Sequence, residues 1–174
     1  MKVILVFVST LNGMITRGDD PEVRHWSSKS DQLHYSRVWK ESRLVVMGST
    51  TWNENIIRLS KGKLILVMTR TPGDYKNNAI PGQLEFTDLA PTELVEKFKR
   101  TGHDIMTVVG GPHVATSFLK EKLIDELWLT VEPRLFGRGY NLIAESDIDV
   151  RLRLTDIVKA NEEGTLLTKY TVIR

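Results

Sequence analysis

The chain has no cysteine among its 174 residues. That excludes disulfide staples and thiolate nucleophiles, and it removes the commonest zinc ligand. Long apolar runs are missing too. The longest, VILVFVS beginning at Val3, covers roughly seven residues, against about 20 for a membrane-crossing helix. No small-residue cleavage pattern follows it, so it reads as a first buried strand and a cytoplasmic location is expected. Charge of one sign is also scarce: 24 basic and 22 acidic residues leave a net +2, which excludes the basic stripe of a nucleic-acid-binding surface. The histidines at 25, 34, 103 and 113 show neither HxxxH nor HExxH spacing, so no metal site is expected.

What the chain does have is a rhythm. Short β-branched apolar runs alternate with stretches of helical period, the pattern of an α/β domain with a mostly parallel central sheet flanked by helices. The expected strands are Val3 to Val8, Arg43 to Met47, Lys63 to Met68, Met106 to Val109 and Leu127 to Val131. Expected surface helices run from Asp31 to Glu41 and from Pro91 to Arg100, the second with local caps from Asp88 and Thr92. Towards the C-terminus, DVRLRLTDIVKA and GTLLTKYTVIR alternate apolar and polar residues around Asn161 to Gly164. This predicts a hairpin added to the sheet as its antiparallel edge. Thr71 to Gly82 is the expected long loop. Neither repeats nor linkers interrupt the pattern, so one domain over residues 1 to 174 is expected.

Three segments carry candidate chemistry, each following a strand. Val109 to Ala115 read VGGPHVA, and Val114, Ala115, Phe118, Leu119 and Leu123 continue at helical spacing. A helix start exposes unbonded N–H groups backed by partial positive charge, which makes it an anion site. Glycines there let backbone approach a phosphate closely; a tight turn without a ligand is the alternative. Gly48, Ser49, Thr50 and Thr51 open a second short helix, expected to reach Ile57, as a further phosphate site or as ordinary capping. Thr69 and Arg70 end the third strand, where the guanidinium suits a phosphate monoester or simply lies in solvent. Open α/β sheets gather ligands at strand carboxyl ends, so together these segments suggest a dinucleotide. GRGY at Gly137 to Tyr140 begins like a GxGxxG fingerprint, but Leu142 occupies the third glycine position.

The stretch VVGGPHVATSFLKEKLIDELWLTVEPRLFGRG resembles the reductase domain of riboflavin-biosynthesis deaminase-reductases, and STLNGMIT, WSSKSD and VVMGSTTW resemble its preceding blocks. The likeness extends from Lys2 to about Gly139 and reaches the wider dihydrofolate-reductase-like superfamily. It implies that fold, NADPH as cofactor and hydride transfer to a small pterin, folate or diaminopyrimidine-type heterocycle. By resemblance, Gly48, Ser49, Thr50 and Thr51 meet the adenosine side and diphosphate, while Thr69 and Arg70 lie near the 2′-phosphate. Gly110, Gly111, His113 and Val114 cradle the diphosphate and nicotinamide ribose, with the glycines joined by a cis peptide. Backbone at Val8, Ile15 and Thr16 lines the nicotinamide, and Asn12 and Gly13 form a mobile loop over it. The family's Asp-Asp-Pro-x-Leu-Thr-x-Arg segment is replaced by NENIIRLSKGK, which leaves the substrate open. A catalytically silent NADP-binding module, acting as sensor or assembly subunit, is the alternative reading. Relatives of this type often pair, so a homodimer with contacts around Leu127 to Leu135 is expected.

Hydride transfer to a C=N bond calls for a proton near the acceptor. Asp31, five residues after Trp26, is the candidate acid or substrate anchor; a helix cap or dipole partner is its other role. Tyr35, one helical turn on, lines either the substrate pocket or the core. Asp125 and Glu126 are strand neighbours that point to opposite faces, so they are read as structural rather than as a catalytic pair. Trp39 and Trp52 are expected in the core or the cleft wall.

Overall fold

The computed structural model describes residues 1–174 apart from Asn55 and Ile56, so these two positions of the helix expected to reach Ile57 lie outside the described residues, and Ile57 itself is not helical. One eight-stranded sheet runs through the molecule. Its strands are β1 (Lys2–Thr10), β2 (Leu44–Gly48), β3 (Leu64–Met68), β4 (Leu84–Thr87), β5 (Ile105–Val108), β6 (Glu126–Glu132), β7 (Leu152–Lys159) and β8 (Leu166–Val172), in the order β4-β3-β2-β5-β1-β6-β8-β7. The first six are parallel; β6–β8 and β7–β8 pair antiparallel. This is the α/β, dihydrofolate-reductase-like arrangement with a C-terminal antiparallel hairpin. The sequence reading missed β4, whose LEFT is short and half polar because it pairs only with β3 among the parallel strands.

Helices α1 (Lys29–Glu41), α2 (Ser49–Glu54), α3 (Pro91–Arg100) and α4 (Pro112–Lys120) flank the sheet. One face packs Val3, Leu5, Val46, Leu66 and Val108 against Leu94 and Phe98 of α3 and Phe118 of α4. The opposite face packs Ile4 and Val6 against Val38 of α1, and Met47 and Val67 against Trp39 and Trp52. Alternation along β1 therefore feeds two cores, which is why its run is almost continuously apolar. Both tryptophans are wall residues of the second core.

Helix α1 is held at both ends. At its C-terminus the buried Lys63 donates to the carbonyl oxygens of Trp39 and, at 2.6 Å, Ser42. Burial pushes that ammonium below its ordinary pKa of 10.5. At its N-terminus the cap is Ser28, whose hydroxyl accepts from the Asp31 N–H at 3.2 Å. Asp31 is thus inside the first turn and is not the cap. Capping of α3 also differs from expectation: Glu93 reaches back to accept from Ala90 N–H at 2.8 Å, and the Thr92 N–H donates to Glu121. Asp125 and Glu126 prove structural. Asp125 accepts from the Val3 N–H and from Arg174, while Glu126 takes Lys2 and the Trp128 indole.

Candidate active site

The site lies at the carboxyl ends of the central strands, in two halves separated by β1. In the first half, β2 and β5 end side by side and launch α2 and α4. The Gly110–Gly111 peptide is cis, as the family resemblance implies, and Gly110 returns its carbonyl oxygen to Gly48 N–H at 2.9 Å. A β-carbon on Gly48 would stand 3.2 Å from Val114 Cγ2, and one on Gly111 would stand 3.3 Å from Thr51 Oγ1. Gly110, with φ of +130°, would bring a β-carbon to 3.6 Å from the same hydroxyl and 3.8 Å from the Phe7 ring. The room left by the missing side chains is therefore bordered by Val114, Thr51 and Phe7. These glycines first bring the starts of two helices together, and only then offer backbone to a ligand.

That offer is concrete. Gly111 is the N-cap of α4 and has no side chain with which to cap it, and Pro112 follows in the first turn. The first-turn N–H groups of His113 and Val114 therefore receive no N-cap side chain, at the end of the helix that favours anions. Ser49 and Thr50 stand at the start of α2, with Thr51 one residue on. Thr69 and the exposed Arg70 follow β3; the Thr69 N–H is tied to the Thr87 carbonyl oxygen, and its hydroxyl accepts from Thr71 N–H. Gly48, Ser49, Thr50, Thr51, Gly110, Gly111, His113 and Val114 are thus brought together, with Thr69 and Arg70 at the end of β3, next to β2.

The second half lies across β1. Val8 of β1 is in register with Thr130 of β6, and the hydroxyls of Thr130 and Ser27 lie near the Asp31 carboxyl, that of Ser27 buried without a hydrogen-bond partner among the described residues. Asp31 is only 5% exposed. Burial raises its pKa above the ordinary 3.8; the two hydroxyls oppose that shift and Glu132 adds to it. Tyr35 is close enough for the Asp31 charge to matter. Its phenol is pushed well above its usual range, first by desolvation and then by Asp31, although the ring edge remains partly exposed. Ile15 is buried and Thr16 half-buried in the loop after β1. That loop is anchored: Asn12 donates to the Phe136 carbonyl oxygen at 2.7 Å and accepts from Phe136 N–H. Gly139 touches it so closely that a β-carbon would lie 2.2 Å from the Thr16 oxygen. Gly139 of GRGY therefore belongs to this loop contact, whereas Gly137 faces open space.

A crevice of about 360 Å³ opens beside this half, lined by Trp26, Ser28, Glu132, Pro133, Arg134 and Glu163. Trp26 is 2% exposed, and its indole N–H has no protein partner. Sequence reasoning missed Ser27, Thr130 and Glu132. Only the polar residues alternating within LWLTVE of β6 hinted at the last two. Among the described residues, no cluster of candidate ligands could hold a metal ion, and no helix is long and apolar enough to cross a membrane.

Comparison with known proteins fixes the family. The family model described as the RibD C-terminal domain matches residues 1–166. The chain belongs to the RibD C-terminal domain family. Among curated proteins, this RibD C-terminal domain is 25% identical over 160 residues to the Bacillus subtilis (strain 168) uncharacterized protein YwjB, covering 88% of each. Among solved structures, a protein assigned to riboflavin biosynthesis in Shewanella sp. PV-4 superposes with a TM-score of 0.80 at 18% identity, over 100% of both chains. The Thermotoga maritima diaminohydroxyphosphoribosylaminopyrimidine deaminase/5-amino-6-(5-phosphoribosylamino)uracil reductase gives 0.75 at 16% identity. The domain covers 99% of its own length there and 56% of that chain. The structural likenesses confirm the fold.

Proposed function

We propose that this RibD C-terminal domain is an NADPH-dependent reductase that transfers hydride to a pterin, folate or diaminopyrimidine-type heterocycle. The observation that carries the reading is the pairing of an uncapped helix start at Gly111 with a buried carboxyl at Asp31, one on each side of β1. The residues present suit a dinucleotide. The His113 and Val114 amides and the hydroxyls of Ser49, Thr50 and Thr51 would hold the diphosphate. Thr69 and Arg70 would meet the 2′-phosphate, as a guanidinium binds phosphate in a fork. Backbone at Val8, Ile15 and Thr16 would line the nicotinamide pocket. A reduced nicotinamide coenzyme, when bound, supplies the hydride.

The protein's own contribution is placement and a proton. Holding donor and acceptor rings across β1 removes much of the entropic barrier. Asp31, kept neutral by burial to higher pH than a solvated carboxyl, would deliver a proton to the acceptor nitrogen or fix the ring through a hydrogen bond; general-acid help of this kind supplies roughly 10² to 10⁴ in rate. Tyr35 would line the same pocket, and the unpartnered Trp26 indole N–H offers the substrate a donor.

The test is calorimetric titration with NADPH followed by loss of absorbance at the reduced-nicotinamide band in the presence of dihydropterins, dihydrofolate or the diaminopyrimidine ribosylamino phosphate. Binding with turnover on one of these is expected. No heat with NADPH or NADP⁺ would remove the reading, and binding without turnover on the whole panel would leave the catalytically silent module.

The same proposal makes the protein a cytoplasmic homodimer that works without nucleic acid or membrane. The surface around Leu127 to Leu135 serves this poorly, because β6 lies inside the sheet between β1 and β8. The edge strand β7, with Leu152, Leu154 and Ile157 exposed, suits it better, and light scattering on the purified protein checks the mass.

A further inference from the structure

Glu132 is unusual in this fold. A carboxyl group that is 2% exposed must find partners, because desolvating it without them is expensive. It finds two, on different elements. One oxygen accepts from the backbone N–H of Ser28 at 2.8 Å, the other from the Thr165 hydroxyl at 2.8 Å. Ser28 is the N-cap of α1 and carries Asp31 three residues on, with its own hydroxyl accepting from the Asp31 N–H. Thr165 sits in the turn between β7 and β8, which Asn161 shapes by accepting from the Gly164 and Thr165 N–H groups, each at 3.0 Å. Asn161 also donates to the Thr165 hydroxyl at 2.9 Å, and Ser30 reaches the Ala160 carbonyl oxygen. One strand end, one helix start and one hairpin turn thus meet at a single side chain.

The placement of Glu132 relative to Asp31 is equally specific. Thr130 and Glu132 are two apart on β6 and share a face. The first confronts the Asp31 carboxyl and the second grips the turn that bears it. We propose that Glu132 is a positioning residue: from the strand behind α1 it fixes the N-cap that carries Asp31. Its charge, the smallest of the influences on the Asp31 carboxyl, favours the protonated form. The inference deepens the reductase reading and takes its functional meaning from it. Charged and titratable groups around the pair come from every neighbouring element. Tyr35 approaches Asp31 along α1, Arg134 follows β6, and Glu163 lies in the hairpin turn beside the crevice. Arg134 and Glu163 carry opposite charges and are exposed, whereas Glu132 is enclosed.

Two variants separate the charge from the anchor. Glu132→Gln keeps an oxygen for Ser28 N–H, and its amide can donate to Thr165, whose hydroxyl then turns towards Ser28 Oγ at 3.2 Å. Thr165→Val leaves the charge and removes one anchor. The readouts need no substrate: side-chain carboxyl ¹³C shifts of aspartate against pH, with Asp31→Asn identifying the resonance, and amide exchange at Ser28 and Asp31. In Glu132→Gln the Asp31 midpoint should fall while both amides stay protected. In Thr165→Val the midpoint should hold while the amides exchange roughly tenfold faster, the equivalent of about 1.4 kcal/mol for one buried hydrogen bond. An Asp31 midpoint unmoved by Glu132→Gln, or amides indifferent to Thr165→Val, would overturn the proposal. If Glu132→Gln fails to fold, Glu132→Asp takes its place: the shortened carboxylate should loosen the amides, and unchanged exchange would overturn the anchor. If both responses appear and no heterocycle is reduced, the positioning role stands and the reductase reading falls.

Discussion

The two halves of the site are built from different materials. West of β1, in strand order, the cradle is main chain: glycines at 48, 110 and 111, amides at 113 and 114, and helix starts pressed together around Thr51. East of β1 the pocket is side chain: Asp31, Thr130, Ser27 and Glu132, all buried. A backbone cradle recognises charge and shape common to many ligands and tolerates little change of its own geometry. A side-chain pocket can be retuned one residue at a time. The halves should therefore fail in different ways when altered.

The largest effect is expected from the eastern half. Asp31→Asn should lower turnover on whichever heterocycle is reduced by roughly 10² to 10⁴, with NADPH affinity unchanged; equal losses in both would show that the halves are not separate. Next comes the western half. Gly110→Ala meets the Thr51 hydroxyl and Phe7 at a backbone angle that side chains avoid. It should weaken NADPH at least tenfold and destabilise the fold by about 1 kcal/mol or more, measured by calorimetry and thermal melting. Arg70→Ala should be narrower still, weakening NADPH by roughly tenfold or more while leaving NADH nearly unaffected. Equal effects on both coenzymes would detach Arg70 from the 2′-phosphate.

The smallest effect is on stability and reads the sign of the Asp31 shift. A carboxyl whose folded pKa lies above its unfolded 3.8 holds its proton more tightly in the native state. Stability from this group is therefore greatest below 3.8 and declines as pH rises through the folded value. Asp31→Asn should accordingly melt higher than wild type at neutral pH, by roughly 2 to 4 °C for each kcal/mol regained, and the gain should shrink towards pH 3. A gain that is constant with pH would mean that packing, not ionisation, separates the two proteins.

The western half was the legible one. Glycines beside a helix start, hydroxyls after Gly48 and an arginine after a strand are local signals, because backbone geometry is decided by neighbours in sequence. The parallel strands and the C-terminal hairpin were legible for the same reason, while β4 escaped because four half-polar residues carry too little period. In the eastern half only Asp31 and Tyr35 were visible. Thr130 faces Asp31 from a strand about a hundred residues away, and Glu132 joins Ser28 to Thr165 across separations of 104 and 33 residues. No spacing rule spans such distances, since the register of β1 against β6 had to be known first. The glycine pair also shows a limit of local reasoning. It was read as clearance for a ligand or as a tight turn, and the sequence could not show that Thr51 and Phe7 stand beside it.

The turn at Asn161 to Thr165 gives the molecule a built-in order of assembly. Every part of the cradle has been synthesised once the chain passes Val114, but the clasp on the helix that bears Asp31 waits for Thr165, in the turn between β7 and β8. On the proposed function, a nascent chain would hold the pieces of a coenzyme grip before the carboxyl that would supply the proton is fixed in place.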